Sequence, residues 1–107
     1  MISVIVPYRI HSPAHKEKLW TLTLESIKGL IDTADRRFEL IIIDDGSHSE
    51  EYHDEIYGYV TSLKYPHRYL LNSVVMRSKH HEKLSVIWNV GVSEASGDYV
   101  ILANNDI

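Results

Sequence analysis

The run Phe38-Glu39-Leu40-Ile41-Ile42-Ile43-Asp44-Asp45-Gly46-Ser47 restricts this chain more than any other stretch. Leu40 to Ile43 are four consecutive apolar residues, three of them β-branched, with no polar face. Such a run predicts a strand covered on both sides, as in a parallel sheet between helical layers. It ends in two carboxylates, and Gly46-Ser47 then turns the chain toward a helix. Ligands of open α/β sheets bind in the crevice outside the carboxyl ends of the strands, so Asp44 and Asp45 are candidate site residues. Ser47 with Glu50 also fits a capping box, which accounts for those two residues but not for two adjacent acids.

The flanking chain alternates in the same way. Ile2 to Val6 predicts a β-branched strand closed by Pro7, which cannot donate to a ladder. Tyr8 to His11 form a loop, and Ser12-Pro13 supplies a helix start. Trp20, Leu24, Ile27 and Ile31 then keep helical spacing. After Ser47, Tyr52, Ile56, Tyr59 or Val60, and Leu63 predict a second helix, with Gly58 inside it. Tyr69 to Met76 reads as an edge strand or two short extended pieces, because Asn72 and Ser73 interrupt it. Arg77 to Lys83 is a polar, basic loop. Leu84, Ile87, Trp88, Gly91 and Ala95 predict a third helix that approaches the sheet closely, with Gly97 as its stop. Tyr99 to Ala103 is a last apolar strand, followed by Asn104-Asn105-Asp106.

Strands alternating with helices imply parallel pairing through right-handed crossovers, hence an α/β fold of three layers, α/β/α, with a mostly parallel sheet. In that arrangement Pro7-Tyr8-Arg9, Asp44-Asp45 and Asn104-Asn105-Asp106 leave the sheet on one edge. Three polar clusters then converge on one crevice. Asp and Asn oxygens there suit a hydroxyl-rich ligand, a divalent cation such as Mg2+ or Mn2+, or both, with Asp106 as the natural cation ligand.

Composition narrows the function classes. The 107 residues predict one domain, residues 1–107, and a formal charge of -4 gives no basic footprint for nucleic acid. There is no cysteine for a disulfide framework or a thiolate metal site. The start shows neither a signal peptide nor a membrane segment, which predicts a cytoplasmic domain. No glycine-rich dinucleotide fingerprint or Walker loop follows the first strand. The seven histidines read as solvated, His80-His81 lying in a loop without further ligands, and Trp20 and Trp88 read as core.

The ordered set Ser3-Val4-Ile5-Val6-Pro7-Tyr8, Phe38 to Ser47, Asn89-Val90-Gly91, Gly97-Asp98-Tyr99-Val100-Ile101 and Asn104-Asn105-Asp106 resembles the N-terminal, nucleotide-binding half of a GT-A glycosyltransferase, and most closely glycosyltransferase family 2. The resemblance covers essentially the whole chain. It implies a hexosyltransferase-class domain that binds a nucleoside-diphosphate sugar, a UDP-sugar above all, with Mn2+ or Mg2+. The sugar would pass to an acceptor hydroxyl of a glycan, lipid or polysaccharide with inversion.

Carried over by position, the resemblance sets Pro7 and Tyr8 on the nucleobase, Asp45 on the uracil ring and Asp44 against the same nucleoside. Asp106 matches the acid that holds the metal on the diphosphate. Asn104 and Asn105 complete the Asp-x-Asp-like triplet, with Asn105 where an acid near the ribose and metal is common. The Pro-Tyr-Arg start is similar to the Pro-aromatic-Arg loop of β-1,4-galactosyltransferase-like enzymes, where an arginine reaches the diphosphate, and Arg9 takes that place. Trp88 stands where many members have arginine, and Asn105 removes one carboxylate from the metal site.

In such enzymes the acceptor-binding half and its general base follow the triplet, so the resemblance implies a fragment of a longer transferase that is inactive alone and carries no catalytic residue. A different reading of the same residues is a non-catalytic assembly module that keeps the fold and self-associates as a homo-oligomer.

Overall fold

Strict alternation along two inner strands sorts the core onto two faces. The computed structural model describes residues 1–103, apart from the side chains of residues 15–17. Its elements are β1 (Ile2–Tyr8), α1 (Thr21–Thr33), β2 (Phe38–Asp45), α2 (Glu51–Ser62), β3 (Leu70–Ser78), α3 (Leu84–Glu94) and β4 (Tyr99–Leu102). On one face Val4, Val6 and Tyr8 of β1 join Phe38, Leu40 and Ile42 of β2 beneath Ile27 and Ile31 of α1 and Tyr52, Ile56 and Val60 of α2. On the other face Ile5, Ile41 and Ile43 pack with Ile87 of α3.

The sheet is wholly parallel, in the order β3-β2-β1-β4. The first two crossovers step outward from β1 in one direction, and the third reverses to reach β4 on the far side of β1. Right-handed crossovers then require the helix of the reversed step to lie on the opposite face, which is where α3 sits. The reversal makes the gap between the carboxyl ends of β1 and β4 the topological switch point. The three-layer α/β expectation therefore holds, with two helices on one face and one on the other.

Local departures from the sequence reading have physical causes. Pro7 does not end β1 but pairs within it, opposite Ile43. Ile5 accepts the Ala103 N–H on the β4 side, and Pro7, two residues on, turns its missing N–H to that same side, past the last β4 pairing at Leu102. The segment after Pro13 is a 3-10 turn (Pro13–His15) and a π-helical turn (Lys16–Trp20), so α1 proper begins only at Thr21. β3 runs unbroken through Asn72 and Ser73 and includes Arg77 and Ser78. As an edge strand it tolerates polar side chains, and a register irregularity opposite Phe38/Glu39 absorbs the misfit.

At Gly91 the helix approaches the sheet closely, as expected. A Cβ there would lie 2.6 Å from Ile5 Cγ2. Gly97 is not the helix stop, because α3 ends at Glu94 and Ala95 is already extended. Its lack of a side chain instead lets the chain pass β1, where a Cβ would stand 2.6 Å from the Met1 carbonyl oxygen and from Ser3 Oγ.

Candidate functional site

Period-two alternation at the end of β2 sends Asp44 and Asp45 to opposite faces. Asp44 follows Phe38, Leu40 and Ile42 onto the α1/α2 face, where its side chain is fully buried. Tyr8 donates its O–H to Asp44 Oδ2 at 3.1 Å, and the Ser47 N–H donates to Oδ1 at 2.8 Å. Burial, and then the charge and hydrogen bond of Asp44, push the Tyr8 phenol far above its ordinary pKa, so Tyr8 stays a donor. The Tyr8 ring packs against Trp20 at a centroid distance of 5.3 Å.

Three sequence expectations change here. Tyr8 belongs to the core and does not line the crevice, because β1 continues through it and turns it to the helical face. Asp44 is likewise enclosed by the turn that it organises. The capping-box reading of Ser47 also fails. Ser47 Oγ accepts the Ile10 N–H at 2.9 Å, tying the β1 loop to the β2 turn, while α2 starts at Glu51 without a side-chain cap on Glu50.

Asp45 points to the α3 face, and the segment between β3 and α3 closes over it. His81 Nδ1 lies 2.9 Å from Asp45 Oδ2, and the Glu82 N–H donates to Oδ1 at 2.9 Å. His81 is thus not a free, solvated histidine, although just over half of its side chain (56 %) is exposed. Gly46 makes this possible with its left-handed φ of 67°, and a Cβ there would stand 2.4 Å from the His81 backbone nitrogen.

Two arginines border the turn. Arg77, at the end of β3 opposite Asp44, donates from Nη1 to Glu50 Oε1 at 3.1 Å and from Nη2 to the Ser47 carbonyl at 3.3 Å. Its Nε lies 3.9 Å from Asp44 Oδ2, buried and without a hydrogen bond. Arg9, half-buried just past β1, also holds a buried Nε without a partner among the described residues. Sequence reading placed Arg77 in a loop. Extending the β3 apolar run two residues, into parallel register with Asp44, would have found it.

On the α3 side of this edge a half-open pocket of about 290 Å³ is lined by Ile43, Met76, Val86, Ile87 and Val90, with Arg77, Ser78 and Glu82 at its polar end. Pro7 is buried within β1. Asn104, Asn105 and Asp106 lie outside the described residues. The structure therefore brings Arg9, Asp44 and Asp45 to one edge of the sheet and leaves the third cluster unplaced. Among the described residues no group of three or more His, Asp or Glu side chains is arranged to hold a metal ion. The oxygens of Asp44 and Asp45 are engaged by protein donors, so the described residues do not by themselves fit a cation.

The family model for glycosyl transferase family 2 matches residues 9–107. The chain belongs to this family. No curated protein matches it. Among solved structures it is similar to S. aureus TarS residues 1–349, with 24% identity and a TM-score of 0.64. The match covers 98% of this chain and 27% of that one, so the chain spans about a quarter of the solved relative's length. The likeness supports the GT-A-type α/β fold for the family 2 segment. The polar edge described above is the carboxyl edge of that fold's parallel sheet, the edge outside which open α/β sheets bind their ligands.

Proposed function

We propose that the chain is the donor-binding part of a glycosyltransferase, taking a nucleoside-diphosphate sugar, with UDP as the nucleotide. The observation that carries this reading is Asp45. Its carboxylate closes the central strand at the sheet's carboxyl edge and accepts N–H donors at 2.9 Å through both oxygens. A carboxylate so placed is suited to the imide N–H of a pyrimidine base. Arg9, with its unpartnered buried Nε, is the cationic group for the diphosphate and fits the Pro-aromatic-Arg likeness of the first loop.

In the complete enzyme the acceptor hydroxyl displaces the nucleoside diphosphate in one step, which inverts the anomeric centre. In this reading the general base and acceptor site lie in the remaining part of the enzyme, since the chain spans about a quarter of the solved relative's length. A divalent cation, with Asp106 as its acid and Asn104 and Asn105 beside it, rests on the family resemblance. The domain boundary, the hexosyl class of donor and a cytoplasmic location belong to the same proposal. No helix of the described residues is long and apolar enough to cross a membrane.

Isothermal titration of the chain with UDP in the presence of Mn2+ tests the reading. Binding should weaken at least tenfold in Asp45→Ala, the expected loss of a hydrogen bond to a charged acceptor. Absence of binding by any nucleoside diphosphate would overturn it.

A second reading, self-association, has its own observation. All four residues of β4 are exposed on an unpaired edge among the described residues, with Tyr99 at 72%, Leu102 at 50% and Ile101 at 48%. Such an edge is a template for strand addition by a second copy. Light scattering across a concentration series separates the cases, since a monomer at high concentration removes this reading.

A further inference from the structure

The segment from Lys79 to Lys83 crosses the carboxyl edge with little to hold it. Its residues are exposed, and α3 begins after it without a side-chain cap on Lys83. Apart from the Ser78 carbonyl accepting the Gly46 N–H at 3.0 Å and a local bond from Ser78 Oγ to the His80 carbonyl, its tertiary hydrogen bonds among the described residues go to Asp45. The Glu82 N–H takes one oxygen of that carboxylate and His81 Nδ1 the other. The fit over Gly46 is tight, with the His80 carbonyl carbon 2.7 Å from where a Cβ would be.

We propose that Lys79–Lys83 is a displaceable strap that masks Asp45 in the nucleotide-free chain, so that nucleotide binding and strap opening are one coupled event. This rests on the reading of Asp45 as the base-recognising acid. The Glu82 N–H presents to Oδ1 the same kind of planar amide donor as a pyrimidine imide, and the segment, lying directly over Gly46, stands in the base's approach to that oxygen. The strap therefore competes chemically with the base. The apparent affinity for nucleotide falls by the fraction of molecules in which the strap is closed. His81 is the second tether of that closed state. It is a half-exposed residue whose only described polar contact is Asp45, so its removal loosens the strap without opening the core.

The test compares the chain with its His81→Ala variant, using UDP with Mn2+ as the probe. His81→Ala should bind UDP about threefold to tenfold more tightly, the weight of one net hydrogen bond removed from the closed state. Hydrogen exchange of the Glu82 amide supplies a second readout that needs no variant. Saturating UDP should speed its exchange, because the base has taken its acceptor. Unchanged or weaker UDP binding by His81→Ala, or unchanged or slower Glu82 exchange on saturation, would overturn the strap while leaving the nucleotide site standing. No UDP binding by either protein would instead sink the reading of Asp45, and the strap with it.

Discussion

The carboxylates of Asp44 and Asp45, adjacent in the chain, are held on opposite faces of the sheet. The Tyr8 O–H holds the first at 3.1 Å, and His81 with the Glu82 N–H holds the second at 2.9 Å. One acid is thereby built into the turn, and the other lies on the side where an exposed segment closes over it.

Tyr8→Phe tests the built-in acid. The ring and its packing on Trp20 remain, while Asp44 Oδ2 loses its donor and keeps only the longer approach of Arg77 Nε. Denaturant unfolding should show a loss of about 1–3 kcal/mol, the cost of a buried acceptor left without its bond.

The pH dependence of Tyr8 follows from its raised pKa. The folded state keeps the phenolic proton where the unfolded chain releases it, so this contribution is complete below about pH 10 and declines as pH rises above it. Stability measured from pH 9 to 11 should fall more steeply for the wild-type chain than for Tyr8→Phe.

Glu39 governs the acid side. It is buried at the amino edge of the sheet on the α3 face. Burial alone would raise its pKa, but hydrogen bonds from Ser3 Oγ (2.6 Å), the Ser96 N–H (2.6 Å) and Ser96 Oγ (2.8 Å) outweigh that and hold the carboxyl below its usual range. A lowered folded pKa gives stability that is present above the unfolded value, about 4.3, and lost as pH falls below it. Glu39→Gln should lower the urea midpoint at pH 7 and flatten the decline between about pH 5 and 3.

Gly91→Ala tests the approach of α3. The new methyl would stand 2.6 Å from Ile5 Cγ2 and 2.9 Å from Cδ1, and Ile5 is fully buried, so neither side can yield freely. A loss of about 1–3 kcal/mol is expected from overpacking. Ile5→Val in the same chain should recover part of it, read as a favourable coupling in a double-mutant cycle.

Gly46→Ala tests the turn. The left-handed φ of 67° and a Cβ 2.4 Å from the His81 backbone both oppose it. The conformational part alone costs about 1–2 kcal/mol. Thermal unfolding should shift downward, and the His81 ring resonances should lose their Asp45-bound environment even in the molecules that remain folded.

The fold was legible in the chain because apolar runs at β1 and β2, and helical spacing in α1, α2 and α3, depend on local pattern alone. Asp45 was legible for the same reason, since it closes the most apolar run. What the pattern concealed was orientation. Reading Asp44 and Asp45 as a pair overlooks the alternation that divides them, and reading Pro7 as a stop hides the continuation of β1 that sends Tyr8 into the core. His81 and Arg77 were invisible as partners because their contacts with Asp45 and Asp44 join residues far apart in the chain. The burial of Glu39 was hidden because its hydrogen-bond donors come from Ser3 and Ser96, on two other segments.

The strand order carries a consequence for synthesis. β1 is made first, yet its outer edge is paired only by Tyr99–Leu102, with Ile2 opposite Tyr99 and Ile5 opposite Leu102. A ribosome-bound chain can join β1, β2 and β3 in the order in which they emerge, while one edge of its oldest strand stays open. Closing that edge is the most sequence-distant event in the sheet, and such contacts form late and slowly. For the interval between the appearance of Ile5 and that of Leu102, the nascent chain presents an apolar, unpaired strand to its surroundings, which makes this the stage at which a chaperone is most useful to it.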